Sequence, residues 1–152
     1  MSADIRPARA SDIDALLAIE DAVFEGDRLS RRSFNRHLDS ETALLLVAEE
    51  TGEVAGYALL FLRRSDKIVR IYSLAVAPKF MSRGVGKQLL AAAEEKASSI
   101  QRRVLSLEVR EDNERALQLY EGAGYQKMKR LPGYYEDGVA ALRLNKVVEA
   151  KP

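Results

Sequence analysis

Residues 71–98 read IYSLAVAPKFMSRGVGKQLLAAAEEKAS, and this stretch decides the fold because a strand pattern, a glycine-rich turn and a helix pattern follow one another. The apolar run over residues 71–76 ends before Pro78, and residues 85–98 repeat apolar side chains at helical spacing. Between them lies the turn, residues 81–87. Backbone N–H groups in such a turn, together with the positive end of the following helix, can bind a phosphate group. The stretch therefore predicts a site for a phosphate-bearing ligand.

This turn differs from two better-known phosphate-binding loops. A P-loop reads Gly-x-x-x-x-Gly-Lys-Ser/Thr, but Met81 stands at its first glycine position and Gln88 follows Lys87. A dinucleotide-binding fingerprint has a third glycine three residues beyond Gly86, where this chain has Leu89. The alternative is an ordinary strand–helix turn in which glycine supplies unusual dihedral angles.

Length and composition predict one globular domain over residues 1–152. Apolar residues make up 47% of the chain and charged residues 31%, which is not the composition of a disordered protein. The formal net charge of +1 gives no general positive field, so we expect no nucleic-acid partner. The longest apolar run, residues 54–62, is too short to span a bilayer, and we expect a cytoplasmic protein without membrane contact.

The chain has no cysteine and one histidine, His37. Disulfides, thiolate metal ligands and a cysteine nucleophile are therefore excluded. A single histidine does not build a metal site, and we expect His37 to be a partly exposed helix residue.

Periodicity and turn residues predict seven strands and four helices. The strands are expected at residues 5–7, 44–48, 54–62, 68–76, 104–109, 125–130 and 140–144. The helices are expected from a cap at Ser11 or Asp12 to Val23, at residues 30–38 and 85–98, and from a cap at Asn113 to Gly124. Antiparallel hairpins come first and a strand–helix–strand–helix–strand unit follows, which predicts a mixed α/β sheet with helices on both faces.

Three segments, in this order, resemble the GNAT superfamily of acetyl-CoA-dependent N-acetyltransferases. Residues 74–78 (LAVAP) with 83–86 (RGVG) resemble the family's strand and pyrophosphate loop, and residues 107–125 (LEVREDNERALQLYEGAGY) resemble its next strand and helix. Residues 133–138 (GYYEDG) resemble the carboxy-terminal hairpin of the RimI-like branch, the protein N-terminal acetyltransferases. The resemblance implies a GNAT fold: a mostly antiparallel central sheet, helices on both faces, and a splayed cleft for CoA.

The chain departs from the family pattern at two places. The loop of the family begins with Gln or Arg, where this chain has Met81. The RimI-like hairpin reads Asp-Gly-x-Asp-Ala, whereas residues 137–141 read DGVAA. The first departure puts the strength of CoA binding in question, and the second puts the RimI-like substrate in question.

The resemblance implies acetyl-CoA as cosubstrate and no metal. Backbone amides of the loop are expected to bind the pyrophosphate, with positive charge from Arg83 and Lys87. The strand before the loop is expected to lie beside the pantetheine. The implied cofactor-binding residues are Leu74, Ala75, Val76, Met81, Ser82, Arg83, Gly84, Val85, Gly86, Lys87, Asn113 and Tyr120.

Two residues are implied as catalytic, Glu108 and Tyr120. Glu108 lies in a half-apolar strand, where burial makes a carboxylate a usable general base, and the alternative is a structural glutamate paired with arginine. Tyr120 lies on an apolar stripe of its helix; it is implied as the general acid for the departing thiolate, and the alternative is a core tyrosine. Without cysteine, direct attack in a ternary complex is favoured over an acyl-enzyme.

The acceptor residues follow from weaker patterns. Phe24, Arg28, Tyr134 and Tyr135 are the candidate substrate contacts. Arg28 belongs to a cluster with Arg31, Arg32 and Arg36, which would suit an acidic acceptor; the alternative is a solvated basic face. The tyrosines match the hairpin that covers a peptide terminus in the RimI-like branch.

The sequence therefore predicts an N-acetyltransferase acting on a protein N-terminus or peptide amine, as a monomer or homodimer. One alternative is acetylation of a small-molecule amine or amino acid. Another is a CoA-binding sensor without turnover, suggested by Met81. The presence of both Glu108 and Tyr120 argues against the sensor, which needs neither.

Overall fold

The structure is a computed structural model that describes residues 3–64 and 67–149. Its strands are β1 (Asp4–Pro7), β2 (Ala43–Glu50), β3 (Glu53–Phe61), β4 (Ile68–Val76), β5 (Val104–Arg110), β6 (Gln126–Leu131) and β7 (Ala141–Val147). Its helices are α1 (Ile13–Val23), α2 (Arg31–Leu38), α3 (Val85–Ser99) and α4 (Glu114–Gly122). Every predicted strand and helix is confirmed, with bounds that shift by a few residues. The domain predicted over residues 1–152 extends beyond the described residues at both ends.

The strands form one sheet in the order β1-β2-β3-β4-β5-β7-β6. All neighbours are antiparallel except β4 and β5, which are parallel and pair only from Ile68–Arg70 to Val104–Ser106. Beyond Arg70 and Ser106 the two strands diverge. The mixed, mostly antiparallel sheet and the splayed cleft are therefore confirmed.

A bulge in β4 lies next to the point of divergence. Leu59 of β3 pairs with Ser73 and Leu60 pairs with Ile71, so Tyr72 is an extra residue without a partner in β3. A bulge bends its strand and increases the local twist. Because Tyr72 follows the last residue paired with β5 so closely, the bulge helps to turn β4 away from β5.

The two faces of the sheet carry separate apolar clusters. One cluster joins α3 and α4 to the sheet and includes Leu89, Leu107, Val109 and Tyr120. The other joins α1 and α2 to β2, β3 and β4 and includes Phe34. Side chains alternate along a strand, so the even-numbered residues of β5 face the side of α1 and α2. Those helices pack on β2–β4, and polar residues of β5 and β7 remain to form the wall of a cleft.

His37 lies in α2, partly exposed as expected. Across residues 3–64 and 67–149, no helix is long and apolar enough to cross a membrane. Over the same residues, no group of three or more histidine, aspartate and glutamate side chains is placed to hold a metal ion.

Candidate active site

The glycine-rich turn leaves backbone donors free where β4 leads into α3. Gly84, the residue before α3, has a φ of 82°, a left-handed conformation in which a Cβ atom is strained; among residues 3–64 and 67–149, no neighbouring group lies within 4 Å of where that Cβ would stand. In the part of the chain that the structure describes, no side chain caps this helix end. Within the described residues, the N–H groups of Val85, Gly86 and Lys87 have no hydrogen-bond partner. The turn is thus an open helix end, and its role as an anion-binding site stays a prediction.

Gly86 has a packing role as well. A Cβ atom there would lie 3.0 Å from Cδ2 of Leu119, which is tighter than ordinary contact. The glycine therefore lets α4 approach the first turn of α3. The two glycines therefore have different roles. Gly84 leaves the backbone open, and Gly86 allows close contact between two helices.

The two cations predicted to contact the phosphates, Arg83 and Lys87, have different surroundings at the turn. Arg83 points away from the helix end: its guanidinium lies 5.4 Å from the Phe80 ring centre, and Nη1 lies 3.3 Å from Oε1 of the buried Glu50. Lys87 is exposed and has no ion pair in the described part of the chain. Both residues remain predicted phosphate contacts, and Arg83 would have to leave Glu50 to become one.

Arg115 is a cation at the turn that the sequence patterns missed. Its Nη1 donates to Sδ of Met81 at 2.7 Å, and its Nη2 donates to Oγ of Ser82 at 3.3 Å. A signal was available, because Arg115 precedes Leu119 by one helical turn and so shares the face of α4 that contacts Gly86. Arg115 brings a guanidinium to the position where the family's loop has Gln or Arg and this chain has Met81.

The remaining predicted cofactor contacts lie along the same opening. Leu74, Ala75 and Val76 pair with β3 on one side and have no partner in β5 on the other. The backbone of this strand segment is thus accessible from the split. Asn113 caps α4 by accepting a hydrogen bond from the Ala116 N–H at 3.1 Å, so its capping role is confirmed. Its contact with CoA stays a prediction.

A cleft with a volume of about 490 Å³ opens on the other face of the sheet. This volume lies in the range of small-ligand pockets. The cleft is lined by Phe61, Arg63, Ile68, Arg70, Ser106, Glu108, Tyr134, Arg143 and Asn145. The structure therefore brings together two of the predicted site residues, Glu108 and Tyr134, and adds a set of residues from β3, β4, β5 and β7 that the patterns did not indicate.

Glu108 is held by two arginines. Its side chain is 8% exposed; Oε1 accepts from Nη2 of Arg70 at 2.5 Å and Oε2 accepts from Nε of Arg143 at 3.1 Å. The arginine pairing considered as the alternative is thus present. The partners come from the neighbouring strands β4 and β7, and Arg110 of the same strand pairs with Asp137 instead. The base role of Glu108 stays a prediction.

The floor of the cleft contains two buried polar atoms without partners. Arg70, Ser106 and Asn145 stand side by side in the register of β4, β5 and β7. Nε of Arg70 and Oδ1 of Asn145 are buried and make no hydrogen bond within the described residues. Leaving such a group unsatisfied costs about 1–3 kcal/mol, which favours a rearrangement that supplies a partner.

Tyr120 approaches from the opposite face. It belongs to the buried cluster under α3, and its ring lies 5.9 Å from that of Tyr125. Its hydroxyl makes no hydrogen bond to any other described residue, and burial raises the pKa of Tyr120 above its ordinary value. Glu108 and Tyr120 thus stand on different faces of the sheet, and Glu108 follows the last residue of β5 that pairs with β4.

The hairpin tyrosines lie near Glu108: Tyr134 lines the same cleft, and Tyr135 interacts electrostatically with both Glu108 and Tyr120. Tyr134 is 46% exposed at the cleft, and its ring contacts that of Tyr135 at 5.0 Å. Burial raises the pKa of Tyr135 to about 12, and the nearby charge of Glu108 adds to this shift. Arg110 fixes the hairpin: Nη2 lies 2.7 Å from Asp137 Oδ2, and the guanidinium lies 5.0 Å from the Tyr135 ring centre.

Phe24 and Arg28, the other predicted substrate contacts, do not line this cleft. Nε of Arg28 donates to the Phe24 carbonyl at 2.7 Å. In the same arginine cluster, Arg31 pairs with Asp14 on α1, as a solvated basic face would. Arg36 differs, because it lines a smaller hollow of about 240 Å³ that shares two residues with the cleft.

Glu20 is a buried carboxyl that the sequence patterns missed. It is 1% exposed, accepts a hydrogen bond from the Leu29 N–H at 2.7 Å, and accepts another from the hydroxyl of Tyr57, which lies 2.8 Å from Ser73 Oγ. Burial raises the pKa of Glu20. The network ties the α1–α2 connection to β3 and β4. A signal existed, since Glu20 lies one turn after Leu16 on the apolar face of α1.

Comparison with known proteins gives consistent matches. The family model described as Acetyltransferase (GNAT) family matches residues 13–125. The N-alpha-acetyltransferase RimI of Mycobacterium tuberculosis is 31% identical over 143 residues, which cover 89% of each protein. An N-alpha-acetyltransferase of Sulfurisphaera tokodaii is 30% identical over 145 residues, covering 88% of this chain and 86% of that protein. The crystal structure of the ribosomal-protein-S18-alanine N-acetyltransferase from Escherichia coli has the same fold, with a TM-score of 0.86 at 23% identity, covering 99% of this chain and 96% of that one.

Proposed function

The chain belongs to the GNAT family of N-acetyltransferases, and we propose that it acetylates the α-amine at the N-terminus of a protein or peptide, with acetyl-CoA as the donor. One observation carries the choice of acceptor: Glu108, the candidate base, lines the same open cleft as Tyr134 of the hairpin. The names of the relatives from M. tuberculosis and S. tokodaii, both N-alpha-acetyltransferases, support the same choice.

The residues on the cofactor side fit a CoA pyrophosphate. Gly84 leaves open space at the helix end, and the following amides are free to donate. Arg115 and Lys87 supply positive charge, and the unpaired side of residues 74–76 can accompany an extended pantetheine chain. When bound, acetyl-CoA supplies an activated thioester carbonyl. The rest of the chemistry belongs to the protein.

Glu108 accepts a proton from the ammonium form of the acceptor. The neutral amine would then attack the thioester carbon of the donor: a C–N bond forms, the C–S bond breaks, and the nitrogen gives its second proton to water. Arg70 and Arg143 fix the position of the Glu108 carboxylate, since each contacts one of its oxygens. The acceptor enters from the cleft and the donor from the other face, so the two reactants meet at the split between β4 and β5.

Tyr120 stabilises the departing thiolate. Its pKa is raised above the ordinary value by burial, whereas a thiol such as that of cysteine has a pKa near 8.5. The Tyr120 hydroxyl therefore stays protonated and acts by donating a hydrogen bond to the sulfur, and the full proton reaches the thiolate from solvent. The free hydroxyl observed in the structure is consistent with a partner that arrives with the donor.

An α-amine suits this site better than a lysine side chain. An α-amino group has a pKa of about 7.7–8.0, so a useful fraction is neutral near pH 7.5, whereas a lysine amine near 10.4 is almost wholly charged. The cleft offers one carboxylate, Glu108. The hairpin position where the family pattern has a second is Ala140, which is buried.

The test is a peptide that carries a free N-terminus and one internal lysine, incubated with acetyl-CoA and the full chain. Mass spectrometry should find the acetyl group on the N-terminus. The matched control is the same peptide with a blocked N-terminus, which should be acetylated far more slowly.

Two results would overturn the proposal. Equal or faster modification of the lysine would make the protein a lysine acetyltransferase. Modification of neither amine, with turnover on free amino acids or polyamines, would establish the small-molecule alternative.

A further inference from the structure

The acceptor cleft carries an excess of positive charge. Three arginines and one carboxylate line it: Arg63, Arg70 and Arg143 against Glu108. Arg36 lines the adjoining hollow, which shares Phe61 and Arg63 with the cleft, so the positive surface continues there. A single carboxylate cannot neutralise this set.

The arginine side chains are only partly satisfied as they stand. Arg70 gives Nη2 to Glu108 while its Nε is buried without a partner. Arg143 donates to Glu108 through Nε. A guanidinium makes its strongest contacts as a two-pronged fork on one carboxylate. Both side chains thus retain N–H donors for a second carboxylate, and neither donates two hydrogen bonds to Glu108.

The walls of the cleft suit a peptide chain. Phe61 stacks on Tyr72 with ring centres 4.7 Å apart, and the Arg70 guanidinium lies 5.6 Å from the Tyr72 ring centre. Ile68 and Tyr134 expose 40% and 46% of their surface. Apolar and aromatic walls around a few charged groups bind a ligand that is itself apolar in part and charged at defined points.

We propose that this cleft is a carboxylate-binding subsite that selects acceptor peptides with Asp or Glu in the residues following the acetylated one. The inference rests on the proposed function, since it places the α-amine at Glu108 and the rest of the peptide along Arg63, Arg70 and Arg143. A carboxylate of the peptide accepts hydrogen bonds from the unused N–H groups of these arginines.

Binding of such a peptide also changes the surroundings of Glu108. A carboxylate held by the fork of Arg70 supplies the partner that its Nε lacks. As Arg70 turns to the peptide, Oε1 of Glu108 loses its guanidinium contact and becomes available to the ammonium group. Recognition of the acidic residue and exposure of the base are then one event.

Three peptides of equal length test the proposal: an N-terminal serine followed by two glutamates, two glutamines or two lysines. With acetyl-CoA in excess, kcat/KM should fall at least about tenfold from the glutamate to the glutamine peptide, and further for the lysine peptide. The advantage of the glutamate peptide should shrink as salt rises, because screening weakens partly exposed charge pairs.

Adjacent arginines provide a matched pair of variants. Arg63→Gln should lower the ratio of kcat/KM for the glutamate peptide to kcat/KM for the glutamine peptide, bringing it closer to one. Arg64→Gln should leave that ratio unchanged, since Arg64 is 79% exposed, pairs with Glu41 and does not line the cleft.

Equal kcat/KM for the three peptides would overturn the subsite and leave N-terminal acetylation standing. If no peptide is acetylated, the proposed function fails, and calorimetry with CoA present still decides the subsite: tighter binding of the glutamate peptide supports it and equal binding rejects it. Free glutamate is the remaining arm. If it is acetylated faster than the glutamate peptide, the carboxylate comes from a small molecule and the peptide assignment is wrong.

Discussion

The cofactor side and the acceptor side of the sheet are built from different materials. The proposed cofactor side is centred on one continuous segment, residues 74–87, which presents backbone amides, glycines and an open helix end, and Arg115 of α4 lies beside it. The acceptor side consists of side chains from β3, β4, β5 and β7 and presents guanidinium groups around Glu108. The first site is formed by backbone groups in fixed conformations, and the second is formed by charged side chains that can change rotamer.

This difference explains how one fold can keep its donor and change its acceptor. A backbone site depends on dihedral angles and on the absence of side chains, so few substitutions preserve it. A side-chain site depends on which residues stand at the even positions of β5 and their neighbours, and those can change without disturbing the core on the other face. We therefore expect the two sides to respond differently to substitution.

The largest effect is expected on the acceptor side, at the candidate base. Glu108→Gln should lower kcat about 100-fold, in the range for loss of a general base, and the loss should shrink as pH rises and the amine deprotonates unaided. Steady-state rates from pH 6.5 to 9.5 measure both. The control is Glu111→Gln, which should keep near-normal kcat. Glu111 directly follows β5 and pairs with Arg130 outside the cleft. Full activity of Glu108→Gln would remove the base from the mechanism.

The next effect tests the cofactor side with two glycines of matched conformation. Gly84 and Gly52 have φ angles of 82° and 81°, and each would place a Cβ in open space. Alanine at either costs about 1–2 kcal/mol of backbone strain. Gly84→Ala alone should weaken acetyl-CoA binding, by about tenfold or more, because its Cβ would occupy the anion site. Calorimetry checks affinity and thermal melting checks stability; equal affinity in both variants would remove the turn from the site.

A smaller effect compares two tyrosines that touch each other. Tyr120→Phe should lower kcat about tenfold, in the lower range for a lost hydrogen bond to a developing charge, with little change in stability, since its hydroxyl has no partner in the described residues. Tyr125→Phe should do the reverse, costing about 1 kcal/mol through its lost bond to Glu94 and leaving kcat intact. Matched measurements of kcat and urea unfolding decide between them. A stability loss in Tyr120→Phe with unchanged kcat would make it a core tyrosine.

Much of the cofactor side could be predicted because its determinants are local. The Arg83–Gly86 turn, the Asn113 cap and the strand before Pro78 are short patterns with a direct physical meaning. Even there, packing between helices decided two features that no local pattern shows: Arg115 over Met81, and Gly86 against Leu119.

The acceptor side was much less accessible to sequence reasoning. Glu108 was indicated through family resemblance, and its partners Arg70 and Arg143 depend on the register of three strands that lie far apart in the chain. The Tyr72 bulge shifts the register of β4 against β3 by one residue, and strict alternation gives no sign of it. Phe24 and Arg28, chosen from their place in the chain, do not line the cleft, and their contact with an acceptor stays a prediction.

The smallest effect concerns the pH dependence of stability and tests Glu20, which lies in α1 and does not line the cleft. Burial raises the pKa of Glu20 above its ordinary value of 4.5, so the folded state holds this proton more tightly than the unfolded state. Stability from this group is full below pH 4.5 and is lost as pH rises through the raised pKa. Glu20→Gln keeps the bond from Leu29 and removes the titration.

In Glu20→Gln, the free energy of unfolding should vary less with pH between pH 5 and 8 than in the wild type. At pH 5 it should differ from the wild-type value by no more than about 1 kcal/mol. Urea unfolding at several pH values measures it. Glu25→Gln, exposed on the same connection, is the control and should reproduce the wild-type curve. A Glu20→Gln curve parallel to wild type would contradict the assignment.

The short parallel pairing between β4 and β5 also has a consequence for amide hydrogen exchange. Only three residue pairs join the strands, and beyond Arg70 and Ser106 every second backbone amide of each strand faces the split without a partner strand. The amides between them remain in the ladders with β3 and β7. Each strand therefore alternates fast and slow exchange along its length, and a bound donor would slow the fast amides of β4 while leaving their neighbours unchanged.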